Sequence, residues 1–149
     1  MKKSARLASV VKMAESEEHK AMQAYGQCQQ QLEEHKGRLG QLVEYRSEYL
    51  AQFHERAGEG ISVRQMQSYR AFISQLDRGI EEQGRVIDAM KLDLESKRRE
   101  WFGKRTKTQA IDKVVEQHIT NEQVLDNKRE QKESDEISQI CSGGQVVFD

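Results

Sequence analysis

The chain has 149 residues, of which 33% are charged and 36% hydrophobic, and it contains no proline. Its 24 basic and 25 acidic residues leave a net charge of −1, so no overall field attracts nucleic acid or an anionic membrane. This composition is too polar for a compact enzyme domain, and two cysteines are too few for a disulfide scaffold. We therefore expect a soluble, cytosolic, elongated helical protein, and not a nucleotide-binding fold, a barrel or an all-β domain.

The first predicted helix covers residues 3–57, where apolar residues recur every three or four positions. From Leu7 to Phe53, eleven of the fourteen positions in this series are apolar or aromatic. A sustained repeat of this kind is typical of a coiled coil, because a strand would alternate its apolar residues every second position. The segment Gly58–Gly60 interrupts the series, since glycine weakens helices and readily adopts positive φ.

The second predicted helix covers residues 62–138. Ser62 and Gln65 have the spacing of a capping box, in which each side chain bonds the main-chain amide of the other residue. A second heptad series follows, regular in its first half and looser in its second. The last segment, residues 141–149, contains two adjacent glycines and is expected to be disordered.

Two heptad helices joined by a short glycine loop predict an all-α fold, a long antiparallel two-helix coiled-coil hairpin. The hairpin is expected to form one domain over residues 1–140. With the turn near Gly58–Gly60, the numbers of facing residues add to about 119, so that Cys28 lies near Met90. The second helix is the longer one, and its residues beyond about 115 are expected to overhang without an intramolecular partner.

No residue pattern indicates catalysis, a cofactor or a metal. Cys28 and His35 lie seven residues apart, but the further ligands that a metal site requires are missing. The paired acids Glu33 and Glu34 are expected on an exposed helix face, where they stay ordinary solvated charges. The sequence therefore predicts a protein that is not an enzyme and that holds no cofactor.

A basic segment at residues 97–107 precedes a more acidic C-terminal part. It begins with three consecutive cations, Lys97 to Arg99, and only Trp101 and Phe102 are available to stack on bases. A solvated helix face and a binding surface explain this pattern equally well. If the segment binds a partner, a protein surface rich in carboxylates fits as well as a phosphate backbone.

A group of apolar and aromatic residues near the turn lies partly outside the heptad seam. Helical spacing puts three members on one face of the first helix and two on the second, side by side in the hairpin: Leu42, Tyr45, Tyr49, Phe72 and Leu76. A two-helix hairpin buries only a narrow seam, so Tyr45 and Phe72 are expected to remain largely exposed. An exposed aromatic group on so charged a chain typically marks a partner-binding site, and tighter local packing of the tip is the alternative.

Four ordered segments carry a resemblance to a known family. They are the block Leu39–Tyr49, the turn Gly58-x-Gly60-Ile61, the return segment Tyr69–Ile80 and the polar block at residues 127–136. In this order and at this total length, the chain resembles the FliJ family, the small coiled-coil component of the bacterial flagellar type III export apparatus.

The resemblance implies an antiparallel coiled coil similar to the central stalk subunit of rotary ATPases. It also implies three partners. The paired terminal ends enter the ring of the flagellar export ATPase hexamer and promote its assembly. An exposed patch contacts the cytoplasmic domain of the membrane export-gate protein. Flagellar export chaperones are bound and recycled. Association with the cytoplasmic face of the inner membrane is then only through these partners, and no nucleic acid is bound.

The resemblance also assigns binding residues. The gate-binding patch of the family matches the group described above: Leu42, Tyr45, Tyr49, Phe72 and Leu76. Adjacent patch positions correspond to Arg38, Gly79 and Gln83. By analogy with a stalk, the surface that faces the ATPase ring lies at the terminal end of the hairpin and is formed by Leu7, Val11, Arg98, Arg99, Lys104 and Arg105.

Two other functions remain open from the residues alone. A homodimeric structural coiled-coil scaffold predicts a parallel dimer whose formation depends on concentration. A small nucleic-acid-binding protein that uses residues 97–107 predicts salt-sensitive binding of DNA or RNA.

Overall fold

The computed structural model describes residues 2–145, which form two long helices. Helix α1 spans Lys3–Glu59 and helix α2 spans Val63–Gln145. The two helices pack against each other in antiparallel directions, and no strand occurs within residues 2–145. The predicted all-α helical hairpin is therefore confirmed. No helix in this part of the chain combines the length and the apolar character that crossing a membrane requires.

The connection between the helices is short and tightly bonded. Gly60 has φ of +95°, a conformation that favours glycine because it has no Cβ. The amide of Ser62 donates to Gln65 Oε1 at 3.1 Å, and the amide of Gln65 donates to Ser62 Oγ at 3.2 Å. This reciprocal pair is the capping box that the sequence predicted, and it satisfies two amides at the start of α2.

The helices extend beyond the predicted ends. Helix α1 continues to Glu59, and α2 continues to Gln145, well past the expected end at residue 138. Residues 141–145 are thus helical where we expected disorder, and residues 146–149 lie outside the described residues. The extension has a simple reason, because the preceding residues 127–140 are rich in Lys, Arg, Glu and Gln and contain neither glycine nor proline.

The described chain divides into two compact units. The terminal unit combines the described residues up to His19 with those from Gly103 onward, and the tip unit comprises Lys20–Phe102. Each unit pairs a part of α1 with a part of α2. The sequence analysis treated residues 1–140 as a single domain, because the heptad series gives no sign of a division within either helix.

The core of the tip unit is a narrow seam between the two helices. Five apolar residues are buried there: Ala21, Cys28, Leu32, Leu76 and Ile87. Polar pairs lie along the same seam. Cys28 Sγ donates to Asp93 Oδ2 at 3.6 Å, and the Arg46 guanidinium forms an ion pair with the Asp77 carboxylate. The seam therefore combines a small apolar core with polar contacts, and these polar contacts determine which residues of the two helices face each other.

The core of the terminal unit is smaller and more polar. Ala14 and Thr108 are buried in it. Thr108 Oγ1 lies 3.0 Å from the carbonyl oxygen of Lys104 on its own helix and 3.4 Å from the carbonyl oxygen of Ala14 on the other helix. A buried hydroxyl is therefore satisfied by main-chain acceptors, which removes the cost of burying it.

The start of α1 is attached to α2 by polar contacts within the terminal unit, so α2 has intramolecular partners as far as Asp126, whereas we expected it to overhang beyond about residue 115. The amide and the hydroxyl of Ser4 donate to the Glu122 carboxylate at 3.2 and 2.7 Å, and Lys2 Nζ lies 2.9 Å from Asp126 Oδ2. The hydrogen bond from Ser4 holds the pKa of Glu122 below its usual range, and the hydrogen bond from Lys2 does the same for the pKa of Asp126.

The register agrees with the expected one at one position and differs from it at another. His35 contacts Gln83, within one residue of the position that a sum of 119 gives. Cys28 contacts Asp93, nearly one helical turn beyond the Met90 that we expected. The sum of facing residue numbers therefore varies along the seam, and a single value does not describe the whole pairing.

Candidate partner-binding surface

Five aromatic rings in the tip unit form one continuous group, which we call the aromatic cluster: Tyr45, Tyr49, Phe53, Tyr69 and Phe72. The Tyr45 and Phe72 rings meet edge to face with centroids 6.0 Å apart, and the Tyr49 and Phe72 centroids are 4.4 Å apart. Tyr69 lies 5.1 Å from both Tyr49 and Phe53, measured between centroids. These separations lie at or near the range in which aromatic pairs attract each other beyond simple burial.

Helical spacing explains how the cluster forms. Tyr45, Tyr49 and Phe53 follow each other at intervals of four along α1, and Tyr69 and Phe72 are three apart on α2, so each set shares a face of its helix. The sequence analysis did not include Phe53 and Tyr69 in the group of apolar and aromatic residues near the turn, and so missed them as members of the cluster. The spacing of four that links Tyr45, Tyr49 and Phe53 was the available signal.

The predicted gate-binding residues differ in how much of each side chain is accessible. Tyr45 is 49% exposed, and Leu42, Tyr49 and Phe72 are half-buried. Leu76 is 9% exposed and belongs to the seam, so it supports the surface from below and offers little area to a partner. Partial burial raises the pKa of the Tyr49 hydroxyl, with Tyr69 and Tyr45 as neighbours, so this ring stays neutral at physiological pH.

A shallow groove adjoins the aromatic cluster on one side of the tip unit. It encloses about 690 Å³ and is lined by Arg38, Gln41, Leu42, Glu44, Tyr45, Glu48 and Gln83. We call it the α1 groove, because six of these residues belong to α1. Two of the adjacent positions that the resemblance indicated, Arg38 and Gln83, line the groove, and the third, Gly79, does not.

One end of the α1 groove is held in place by a polar contact across the seam. Gln83 Nε2 lies 2.7 Å from His35 Nδ1 and donates to the His35 carbonyl oxygen at 3.3 Å. His35 therefore has a specific partner across the seam. Gln83 is half-buried, so its side chain is part of the fold as well as of the groove wall.

The candidate residues for the ATPase ring are divided between the two units. In the terminal unit, Leu7 and Val11 are half-buried, and Lys104 Nζ lies 3.2 Å from the Glu17 carboxylate. Val11 also lines an apolar groove of about 510 Å³. Arg105 is exposed in the same unit.

The two candidate arginines in the tip unit share one carboxylate. Arg98 and Arg99 lie 3.3 and 3.4 Å from Glu95 Oε1, and the Arg98 guanidinium also lies 5.1 Å from the centre of the Phe102 ring. Glu95 therefore offsets part of the positive charge in the basic segment. This neutralisation weakens the case for nucleic-acid binding, which depends on uncompensated cations.

The cysteines do not form a metal or redox site in the described part of the chain. Cys28 is buried and Cys141 is exposed, and both are free thiols. Burial raises the pKa of the Cys28 thiol, and the nearby Asp93 carboxylate raises it further. No cluster of three or more potential metal ligands occurs within residues 2–145.

Comparison with known proteins identifies the family. The family model described as Flagellar FliJ protein matches residues 2–145. This chain belongs to the FliJ family. It is similar to the Flagellar FliJ protein of Salmonella typhi, with 26% identity over 129 residues that cover 85% of this chain and 86% of the relative.

A second relative gives the same result over a slightly longer match. The Flagellar FliJ protein of Escherichia coli strain K12 is 23% identical over 133 residues, which cover 89% of this chain and 90% of the relative. No solved structure matches the chain. Membership of the family makes this chain a flagellar, export-related protein and confirms the resemblance stated above.

Proposed function

We propose that the chain is a non-enzymatic component of the bacterial flagellar type III protein export apparatus. It binds the export ATPase hexamer and promotes assembly and activity of its ring, links that ring to the membrane export gate, and helps to recycle export chaperones. It acts at the cytoplasmic face of the inner membrane and reaches the membrane only through its partners. The observation that carries the proposal is the partly exposed aromatic cluster of the tip unit in a member of this family.

The aromatic cluster is the proposed contact with the cytoplasmic domain of the export gate. Tyr45 keeps about half of its surface accessible although Tyr49 and Phe72 lie beside it. Aromatic residues of this kind contribute most of the binding energy at many interfaces, because each provides a large rigid surface at low entropic cost. On a chain with 33% charged residues, such a surface supports a role in binding.

Calorimetric titration of the cognate gate domain tests this contact. We expect the double variant Tyr45→Ala with Phe72→Ala to weaken binding by at least tenfold, because it removes both rings of the edge-to-face pair. Val43→Ala is the matched control, since Val43 is also 49% exposed on α1 but lies outside the cluster. Equal affinities for the double variant and the control would contradict the proposed site. A large loss of helicity in the double variant would show that the rings belong to the core.

The terminal unit is the proposed contact with the ATPase ring. The support is the apolar groove that Val11 lines and the cations Lys104 and Arg105 of the same unit. ATP turnover by the cognate export ATPase, measured with and without the chain, is the direct test. We expect stimulation, and we expect Lys104→Ala with Arg105→Ala to reduce it.

The control for the ATPase experiment changes two arginines near the turn. Arg64 and Arg70 are exposed, and Arg64→Ala with Arg70→Ala removes the same charge from the chain. We expect this control to stimulate turnover as the unchanged chain does. No stimulation by the unchanged chain, with the ATPase shown to be active alone, would refute the stalk-like role and favour the scaffold function.

A further inference from the structure

The first three turns of α1, residues 3–13, are held on α2 with little burial, and we call them the α1 strap. None of residues 2–13 is buried, and only three of them are half-buried. The first buried residue of the described chain is Ala14, where the core of the terminal unit begins. Burial of apolar surface therefore holds the strap much less firmly than it holds the tip unit, where five apolar residues are buried.

The face of α2 that meets the strap changes from apolar to polar along its length. Half-buried positions recur on this face every three or four residues: Ile111, Val115, His118, Glu122 and Asp126. Only the first two of them are apolar. An apolar groove of about 510 Å³ is lined by residues of both helices here, and the strap contributes the small side chains of Ala5 and Ala8 to it. Packing between the strap and α2 is therefore incomplete, which forfeits dispersion contacts.

Two polar contacts hold the N-terminal end of the strap. Glu122 accepts hydrogen bonds from the amide and the hydroxyl of Ser4 at 3.2 and 2.7 Å. Lys2 Nζ lies 2.9 Å from Asp126 Oδ2. Glu122 thereby acts as an N-terminal cap of α1 although it belongs to the other helix. The first turn of α1 contains no acidic residue of its own, so Glu122 also supplies the negative charge that stabilises the positive end of a helix dipole.

A strap that separates from α2 is expected to lose its helical structure at the same time. An isolated helix as short as residues 3–13 is marginal in water, because helix nucleation is costly. Lys3 lies in the first turn, where its positive charge opposes the helix dipole once the carboxylates of α2 are gone. Loss of the contacts with Glu122 and Asp126 therefore removes both the attachment and the helical structure of the strap.

We propose that the α1 strap is a conformational device that opens from α2 as one unit, with its two polar contacts to Glu122 and Asp126 determining how often it opens. Local opening needs far less free energy than global unfolding, because Ala14 and the seam of the tip unit stay packed. The open state exposes more of Val115 and Ile119, which line the apolar groove. The strap therefore controls access to an apolar face of α2, and this holds independently of the proposed function.

Hydrogen exchange of the full chain, followed by NMR, tests the device residue by residue. The amides of residues 7–13 report on the strap. The amides of residues 21–32 are the internal reference, because this stretch begins and ends at buried residues of the tip unit. Both sets belong to α1, so they are compared within the same sample and the same helix.

Two double variants separate the polar contacts from a general change of sequence. Lys2→Ala with Ser4→Ala removes the two side chains that contact α2. Lys3→Ala with Ser9→Ala is the matched control, because both residues are exposed and Ser9 Oγ donates to a carbonyl oxygen of its own helix. Alanine is a better helix former than serine or lysine, so propensity alone would slow exchange in both variants.

We expect residues 7–13 of the unchanged chain to exchange about 100-fold faster than residues 21–32, with protection factors that are similar to one another. The variant without the contacts should exchange about tenfold faster again at residues 7–13 only, and the control should stay within about twofold of the unchanged chain. Protection that rises steadily from residue 7 to residue 13 would overturn the inference, because it indicates ordinary fraying of a helix end. Equal exchange in the two variants would also overturn it, because the polar contacts would then not hold the strap closed.

Discussion

Three glycines inside α1 provide a quantitative test of the fold. Gly26, Gly37 and Gly40 are exposed, and a Cβ added to any of them would meet no atom within 4 Å. Packing therefore does not require glycine at these positions. Glycine inside a helix destabilises it by about 0.5–1 kcal/mol relative to alanine, because the unfolded glycine has more conformational freedom to lose.

Replacement of all three glycines with alanine is therefore expected to stabilise the chain by about 2 kcal/mol. For a chain of this size the unfolding midpoint rises by about 2–4 °C per kcal/mol, so we expect an increase of about 4–8 °C. Thermal unfolding followed by circular dichroism at 222 nm measures the midpoint, and urea unfolding measures the free energy.

Gly60→Ala is the control for the glycine series. The φ of +95° at Gly60 is unfavourable for alanine, so this single change is expected to lower stability by about 1 kcal/mol. An unchanged or lower midpoint in the triple variant would refute the reasoning, because it would mean that the three positions are not in an open helical environment.

Three further predictions concern the seam, the start of α1 and the cysteines. Leu32→Asp places a charge at a residue that is 4% exposed and should destabilise the chain by about 3 kcal/mol or more in urea unfolding. The pKa of Glu122 is lowered in the folded state. The stabilisation by its contact with Ser4 is therefore present above the ordinary carboxyl pKa, and it is lost as the pH falls through the lowered pKa of the folded state. The deficit of Ser4→Ala in thermal unfolding at pH 7 should therefore shrink as the pH falls below the ordinary pKa of a carboxyl group. In labelling with a thiol reagent at pH 8, exposed Cys141 should react rapidly and buried Cys28 slowly until denaturant is added.

Each of these predictions has a control. Leu92→Asp changes a leucine that is 77% exposed and should cost little, so a similar loss in both leucine variants would contradict the assigned seam. A deficit of Ser4→Ala that persists at low pH would show that ionised Glu122 is not its source. Cys141→Ser should remove the fast thiol and leave the slow one, and two fast thiols would contradict burial of Cys28.

The fold could be predicted from the sequence because its signals are local or periodic. The heptad series over residues 7–53 predicts a helix whose apolar seam must be covered by a second helix. Ser62 and Gln65 mark the residue at which that second helix, α2, begins. The end of α2 could not be predicted in this way. From residue 126 to residue 136 the helix is polar on all sides, and the only large apolar residues that follow before the glycines are Ile137 and Ile140, so no sustained periodicity marks where it stops.

The candidate surface could be predicted only in part, because its details depend on the register between the helices. Tyr45 and Phe72 were both expected to be largely exposed, and Tyr45 is 49% exposed whereas Phe72 is half-buried. The expected register places His35 opposite residue 84, next to Gln83, but the hydrogen bond itself depends on side-chain positions that the sequence does not give. Which residues line the α1 groove together likewise required the structure.

The polar pairs of the tip unit have a mechanical consequence. Suppose that the helices slid past each other by one heptad, which would preserve the apolar seam. Arg46 would then face Arg70 or Gly84 in place of Asp77, and in either case its ion pair would be lost. In one direction the slip would bring two like charges together, and in the other it would leave the guanidinium without an acceptor.

The same slip would remove the contact between His35 and Gln83. His35 would face Leu76 or Met90, and neither side chain satisfies its ring nitrogen. A heptad repeat alone tolerates sliding in steps of seven, whereas these two pairs make each step costly. The alignment of the two helices in the tip unit is therefore selected by these polar pairs as well as by the apolar seam, which alone would accept several registers.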